Sequence, residues 1–185
     1  SWIDHIDMLE SSIEKIINTQ NSKQNNEPNL IRALQTIFEQ EDCLFIGNST
    51  PIRTFDQFSG RFKTKVNIFS NRGASGIDGL TSTAMGIAET NNLSRNFLVI
   101  GDVSLFHDTN AFHIKSSKTI DLTIIVINNK GGQIFSKIDY GSKNIKQFEK
   151  YWITPPSTKI KDLANLYKLK YYKFKNDEIE KKLKK

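Results

Sequence analysis

The sequence lacks the features that mark membrane, secreted or disulfide-stabilised proteins. Its 185 residues include one cysteine, Cys43, which excludes an internal disulfide and is typical of a reducing compartment. No apolar run approaches the roughly 20 residues of a membrane-spanning helix. The first residues contain neither the basic nor the apolar segment of a signal peptide. These absences predict a soluble, cytoplasmic protein without a membrane partner.

Arginine is absent from the part of the chain where positive charge is concentrated. Residues 1–129 carry 11 basic and 14 acidic side chains, whereas residues 130–185 carry 15 basic and 6 acidic ones, and all 15 are lysines. Bidentate recognition of phosphates and bases favours arginine over lysine. We therefore expect a solvated surface and no nucleic-acid partner. A basic binding module that uses the Lys-rich tail is the non-enzymatic alternative.

The middle of the chain has the pattern of an α/β protein. Four short apolar runs, each followed by Gly, Asn or Ser, predict strands at 43–46, 66–69, 97–100 and 122–127. Helical segments are predicted between them at 79–89 and 105–113. Runs that are apolar throughout indicate strands buried on both faces, so we predict a mostly parallel sheet with helices on both faces. The polar clusters then share the carboxyl ends of the strands, where open α/β sheets bind ligands.

The flanking segments have weaker patterns. Apolar spacing predicts a helix over 4–19, a linker over 20–27 and a second helix over 28–38. Beyond residue 140 the predicted elements are a helix at 159–167, a strand at 171–174 and a helix at 177–185. The chain starts without Met and ends in a Lys-rich stretch with no strand after it, so we expect a piece of a longer protein.

Oxygen ligands follow the third and fourth predicted strands. Asp102 offers a carboxylate, Asn129 an amide oxygen and Gly131 a nearby carbonyl, which are the hard donors that Mg²⁺ prefers. Three protein oxygens leave octahedral positions for two phosphate oxygens and a water, so a metal here would bridge the protein to a diphosphate. The alternative is a helix-capping Asp and a turn without any ligand.

A glycine-rich loop at 70–79 joins the second predicted strand to a helix. It holds three glycines, two serines and Arg72. Glycines allow close backbone approach to a ligand, and the helix terminus that follows favours an anion. The loop has neither the spacing of a dinucleotide-binding fingerprint nor the Gly-Lys-Ser/Thr of a P-loop, which weakens both interpretations.

Together these pieces resemble the thiamine-diphosphate enzymes and, within them, the MenD family of menaquinone-pathway synthases. The resemblance covers about residues 28–174. It rests on Gly-Asn-Ser at 47–49 with Arg53, Asn-Arg-Gly-Ala-Ser-Gly-Ile-Asp-Gly at 71–79, Gly-Asp-Val-Ser at 101–104, and Asn-Asn-Lys-Gly-Gly-Gln-Ile-Phe at 128–135. It implies a thiamine-diphosphate PP domain over residues 28–185, truncated at its C-terminus, preceded by the end of a middle domain or linker helix over 1–27.

The resemblance also implies roles for individual residues. Mg²⁺ or Mn²⁺ is expected on Asp102, Asn129 and the Gly131 carbonyl, and substrate carboxylates on Ser49, Arg53 and Arg72. An apolar pocket is expected from Ile134 and Phe135. The residues expected along thiamine diphosphate are Ser75, Gly76, Ile77, Asp78, Gly101, Asp102, Val103, Ser104, Asn129, Gly131, Gly132, Gln133 and Ile134.

The implied reaction is that of a transferase and carboligase. It decarboxylates 2-oxoglutarate on thiamine diphosphate and adds the succinyl unit to isochorismate. The family's activating glutamate lies in a separate N-terminal domain of a partner subunit, so we expect no catalytic residue in this chain, a homo-oligomer (dimer or tetramer) of the complete protein, and an inactive fragment. The enzymatic alternative is a PP domain of another thiamine-diphosphate carboligase or decarboxylase.

Overall fold

A computed structural model describes residues 1–21, 26–91, 94–113, 120–138, 145–175 and 178–179. The chain divides into two compact units. One unit comprises Ser1–Phe38, Thr54–Lys63 and Phe174–Lys185, and the other comprises Glu39–Arg53 and Thr64–Lys173. No helix in the described ranges combines the length and the apolar character that crossing a membrane requires.

The second unit is built on a four-stranded parallel sheet. Its strands are β1 (Cys43–Ile46), β2 (Asn67–Phe69), β3 (Asn96–Gly101) and β4 (Thr123–Ile127), in the order β2-β1-β3-β4. Every neighbouring pair is parallel, with Ile46 opposite Val99 and Gly101 opposite Ile127. The predicted parallel α/β fold is confirmed, and all four predicted strands form within a residue or two of their expected ends.

The described residues form six α-helices in the two units together. They are α1 (Trp2–Asn21), α2 (Glu27–Gln35), α3 (Thr50–Phe58), α4 (Leu80–Thr90), α5 (Asp102–His107) and α6 (Ile160–Leu166). Short 3₁₀ turns occupy Thr109–His113 and Gln133–Lys137, and a π-helical turn occupies Glu149–Ile153.

The core explains why β1 and β3 are apolar throughout. Every residue of β1 is buried, as is β3 up to its last position, because both strands lie inside the sheet. On one face Leu98 and Ile100 pack with Leu80 of α4, Leu105 of α5 and Leu163 of α6. Strands covered in this way need side chains that are apolar on consecutive positions rather than on alternate ones.

Ion pairs and a helix cap order the first unit. Asn26 caps α2 by accepting a hydrogen bond from the Asn29 N–H at 3.0 Å, and Pro28 occupies the first turn. Arg32 of α2 pairs with Glu14 of α1 and donates to the Phe58 carbonyl at 2.9 Å. These contacts fix α1 against α2 by charge, since most of the large apolar side chains of α1 are exposed.

Several local predictions need correction. The helix expected at 105–113 instead starts at Asp102 and ends at His107, and a 3₁₀ turn follows at Thr109–His113. Between the two, the Asp108 carboxylate accepts from the Ser82 N–H and Oγ. The strand expected at 171–174 does not form, since strand-forming side chains need a paired neighbour. Most of the helix expected at 177–185 lies outside the described residues.

The linker predicted at 20–27 and the segment after β1 also differ from expectation. The two ends of that predicted linker are helical, because α1 runs to Asn21 and α2 begins at Glu27. Residues 22–25 lie outside the described residues, so the middle of the linker stays a prediction. Helix α3 was not predicted at all. Its signal was present, because Ile52, Phe55 and Phe58 have helical spacing and Pro51 suits a first turn.

Leu98 provides a test of the core. It is fully buried, so Leu98→Ala is expected to lower the free energy of unfolding by about 3 kcal/mol through lost burial and a residual cavity. Leu166→Ala is the matched control, because Leu166 is 71% exposed and its truncation should change stability by less than about 0.5 kcal/mol. Urea denaturation of the chain measures both, and equal losses would contradict the core assignment.

Candidate functional site

A cavity of about 260 Å³ lies within the second unit at the carboxyl ends of the strands. Each strand contributes the segment that follows it, and α3 and α5 contribute their first turns. The lining residues are Ser49, Thr50, Pro51, Arg53, Arg72, Ser75, Ile77, Gly101, Asp102, Val103, Ser104, Asn129, Gly131, Gly132, Gln133, Ile134 and Phe135.

The structure brings together every predicted site residue except Gly76 and Asp78, which do not line the cavity. The Gly76 carbonyl instead accepts a hydrogen bond from Asn48 Nδ2 at 2.7 Å. The Asp78 carboxylate fills the space that a side chain at Gly76 would need. Thr50 and Pro51 were missed, because they belong to the helix that was not predicted. The roles of all these residues stay predictions.

Asp102 is the buried charged group of the site. It is 2% exposed and begins α5 directly after β3. Its Oδ1 accepts from the Val103 N–H and its Oδ2 from the Gly131 N–H, both at 2.9 Å. Burial raises the pKa of the carboxyl, and these backbone donors oppose that rise. A divalent cation beside it would favour the ionised form further.

The loop after β4 has a backbone that requires glycine. Gly131 has a φ of 118°, and a Cβ there would overlap the carbonyl of Ile153. That carbonyl accepts from the Gly132 N–H at 2.7 Å, and the Gly131 carbonyl accepts from the Gln133 N–H at 2.8 Å. A carbonyl oxygen has two lone pairs, so this bond leaves Gly131 able to accept a further ligand.

The donor set at this end of the cavity suits a hard cation. A carboxylate from Asp102, an amide from Asn129 and the Gly131 carbonyl line the same cavity and are all oxygen donors, the class that Mg²⁺ and Mn²⁺ prefer. Among the described residues, no group of three His, Cys, Asp or Glu side chains gathers as a metal site. These residues therefore fit a cation held through one protein charge and neutral oxygens.

Two arginines line the cavity as well. Arg53 donates to the Ser49 carbonyl at 2.8 Å, and Ser49 has a left-handed backbone with a φ of 73°. Arg72 donates through Nη1 to the Oδ1 of Asn48 at 3.2 Å. Asn48 is 1% exposed and was not singled out as a site residue, because a lone Asn after a strand predicts only a turn.

An aromatic stack supports the apolar wall. Phe135 lines the cavity and meets the Trp152 ring edge-to-face, with centroids 5.5 Å apart, and Trp152 stacks on Phe148 at 6.1 Å. The supporting rings come from the segment around the π-helical turn, whose sequence carries no periodic signal that could have predicted the contact.

Comparisons with known proteins bear on this site. No family model matches the chain. The chain is 39% identical over 161 residues to the 2-succinyl-5-enolpyruvyl-6-hydroxy-3-cyclohexene-1-carboxylate synthase of Leuconostoc mesenteroides, which covers 87% of this chain and 28% of that protein. The chain belongs to this synthase family. Family members from Bacillus velezensis and Staphylococcus epidermidis are 40% and 33% identical over 76% and 95% of the chain.

The match covers only part of the length of the synthases. The chain spans only 24% to 31% of the length of these synthases. Among solved structures, benzoylformate decarboxylase from Polynucleobacter necessarius aligns with a TM-score of 0.65 over 85% of this chain and 30% of that one. At 13% identity this likeness shows a shared fold.

Gly131 offers a test of the loop. Gly131→Ala is expected to destabilise the chain by about 2 kcal/mol or more, because the left-handed backbone and the Ile153 carbonyl both exclude a Cβ. Gly73→Ala is the control, since a Cβ at Gly73 would meet no atom within 4 Å. Thermal and urea denaturation measure the stability of both variants, and equal stability of the two would contradict this account.

Proposed function

We propose that this chain is the diphosphate-binding part of a menaquinone-pathway synthase. In the complete protein, the reaction is decarboxylation of 2-oxoglutarate and addition of the succinyl unit to isochorismate. The observation that supports this most is the pairing of two chemistries in one cavity. Oxygen donors for a cation lie on segments after β3 and β4, and two arginines lie on segments after β1 and β2.

The oxygen donors would hold the metal and, through it, a diphosphate. Asp102, Asn129 and the Gly131 carbonyl would bind Mg²⁺ or Mn²⁺. Ser75, Ile77, Ser104 and Gln133 would line the rest of the cofactor surface. Bound thiamine diphosphate supplies the electron sink for decarboxylation, while the protein supplies orientation and charge.

The arginines would bind the carboxylates that both substrates carry. A guanidinium presents a planar fork that matches a carboxylate in two hydrogen bonds, so Arg53 and Arg72 suit substrates with several carboxylates. Ile134 and Phe135 would keep water from the reacting carbon, since both line the cavity with apolar atoms. Ser49 would add a hydroxyl to the same wall.

The remaining parts of the proposal concern the complete protein. The synthase relatives are about three times as long as this chain, and the group that activates the cofactor is expected outside it. The complete protein is expected to be a cytoplasmic homo-oligomer, a dimer or tetramer. Another thiamine-diphosphate carboligase or decarboxylase would use the same cation donors with a different acceptor.

Turnover by the complete gene product tests the proposal. With 2-oxoglutarate, Mg²⁺ and thiamine diphosphate present, isochorismate should be consumed. Asp102→Ala should reduce the rate about a hundredfold or more, because it removes the charged ligand of the metal. Asp121→Ala is the control, since Asp121 is exposed beside the opposite end of β4. The 185-residue chain alone should be inactive.

Other outcomes of this assay would contradict the proposal in different ways. Decarboxylation of 2-oxoglutarate without consumption of isochorismate would keep the cofactor site and reject the acceptor. A folded protein without any cofactor-dependent chemistry would reject the enzyme assignment and favour the basic binding module. Turnover by the isolated chain would overturn the expectation that activation comes from elsewhere.

Conservative substitution of the arginines tests the substrate assignment. Arg53→Lys and Arg72→Lys keep the charge and lose the planar fork, so each should raise the KM for 2-oxoglutarate or isochorismate about tenfold. Arg61→Lys is the control, because Arg61 is 73% exposed and pairs with Asp7 and Glu10 in the first unit. Unchanged KM values in both cavity variants would favour the alternative carboligase.

A further inference from the structure

One buried amide connects the end of β1 to three residues of the loop that follows β2. Asn48 follows β1 and is 1% exposed. Its Nδ2 donates to the carbonyls of Asn71 at 3.0 Å and Gly76 at 2.7 Å, and its Oδ1 accepts from Arg72 Nη1 at 3.2 Å. Both amide hydrogens and the amide oxygen are therefore in use, as burial of a polar group requires.

The two carbonyls lie at the ends of the exposed loop 71–76. This loop has no regular secondary structure, and within it the Ser75 Oγ reaches the Arg72 carbonyl only at 3.4 Å, so contacts from outside the loop contribute to its path. Its first residue is also held by α4, because the Asn71 Nδ2 donates to Thr83 Oγ1 at 3.2 Å. The Asn48 side chain joins the two ends of the loop to each other and to the end of β1.

The third contact orients a charge. Arg72 lines the cavity, and within the described part of the chain its other guanidinium N–H groups donate no hydrogen bond. One anchored nitrogen restricts the plane of the guanidinium while leaving donors for a ligand. The anchor is neutral, so Arg72 keeps its full positive charge, which a carboxylate at position 48 would offset.

We propose that Asn48 is a positioning residue that holds loop 71–76 in place and aims the Arg72 guanidinium at a carboxylate of the substrate. Asn48 does not line the cavity, so it acts through Arg72. Fixing a side chain before binding lowers the entropy that binding must otherwise overcome. The inference rests on the proposed function, because that function gives Arg72 its ligand.

A double-mutant cycle in the complete gene product tests this inference. Asn48→Ala should raise the KM for 2-oxoglutarate or isochorismate about tenfold, the size expected for losing a hydrogen bond to a charged group. In an Arg72→Ala background the same change should alter that KM by less than about twofold, because the group that Asn48 orients is gone. Independent, multiplicative effects on the KM would overturn the proposal.

Asn96→Ala is the matched control. Asn96 is another buried amide, 4% exposed, whose Nδ2 donates to the carbonyls of Asn91, Ser94 and Asp121 at the amino end of the sheet. Its loss should lower stability by a similar amount, leave the KM unchanged and show no coupling to Arg72→Ala. A KM shift as large as that of Asn48→Ala would mean that any buried amide matters equally, which contradicts a positioning role.

Asn48→Asp is a second test variant that can be used if Asn48→Ala does not fold, because aspartate keeps the shape of the asparagine side chain. The new carboxylate still accepts from Arg72 but places an oxygen against two carbonyls and offsets the arginine charge. The KM should rise by about tenfold or more, again without further effect in the Arg72→Ala background. An unchanged KM in this variant would overturn the proposal.

Failure of the proposed function can be recognised separately. A wild-type protein that does not turn over the two substrates rejects that function before any variant is compared. Hydrogen–deuterium exchange then decides the role of Asn48. Faster exchange at 71–76 in Asn48→Ala, but not in Asn96→Ala, supports the positioning of the loop, and unchanged exchange overturns it.

Discussion

Parallel pairing of β3 with β1 on one side and β4 on the other is the constraint on which the site depends. In a parallel sheet all strands end at the same edge, so the segments after them must share one region of space. Gly101 lies opposite Ile127, which starts the Asp102 and Asn128 segments at the same level of the sheet. The buried bond from the Gly131 N–H to the Asp102 carboxylate then joins the two segments directly.

The strand ends also determine which polar groups are buried. Three polar residues lie just after the ends of β1 and β3 and are at most 2% exposed: Asn48, Asp102 and Ser104. Asn48 and Asp102 meet backbone partners from loops that come later in the chain, so their burial is compensated and the loops become ordered. The same two side chains also bond to the charged and oxygen-donating groups of the cavity, because Asn48 accepts from Arg72 and Asp102 itself lines the cavity.

The fold persists where sequence similarity does not. At 13% identity, benzoylformate decarboxylase retains the arrangement over 85% of this chain. A buried parallel strand requires apolar side chains of suitable size and tolerates exchange among them, so the fold is preserved by pattern. The cavity is more demanding. Position 131 excludes every side chain, and position 48 needs an amide that donates twice and accepts once.

The sequence by itself determined the α/β class, the four strands, the parallel arrangement and the loops that carry the candidate ligands, because apolar runs and glycine-rich turns are local signals. Tertiary structure decided the rest. Asn48 binds residues more than twenty positions away in the sequence. The carbonyl of Ile153 approaches Gly131 from a later segment, and the neighbouring Trp152 packs against Phe135. The strand-like residues at 171–174 form no strand in the described chain. In each case the outcome depends on a partner distant in sequence, and no local pattern identifies which partner that is.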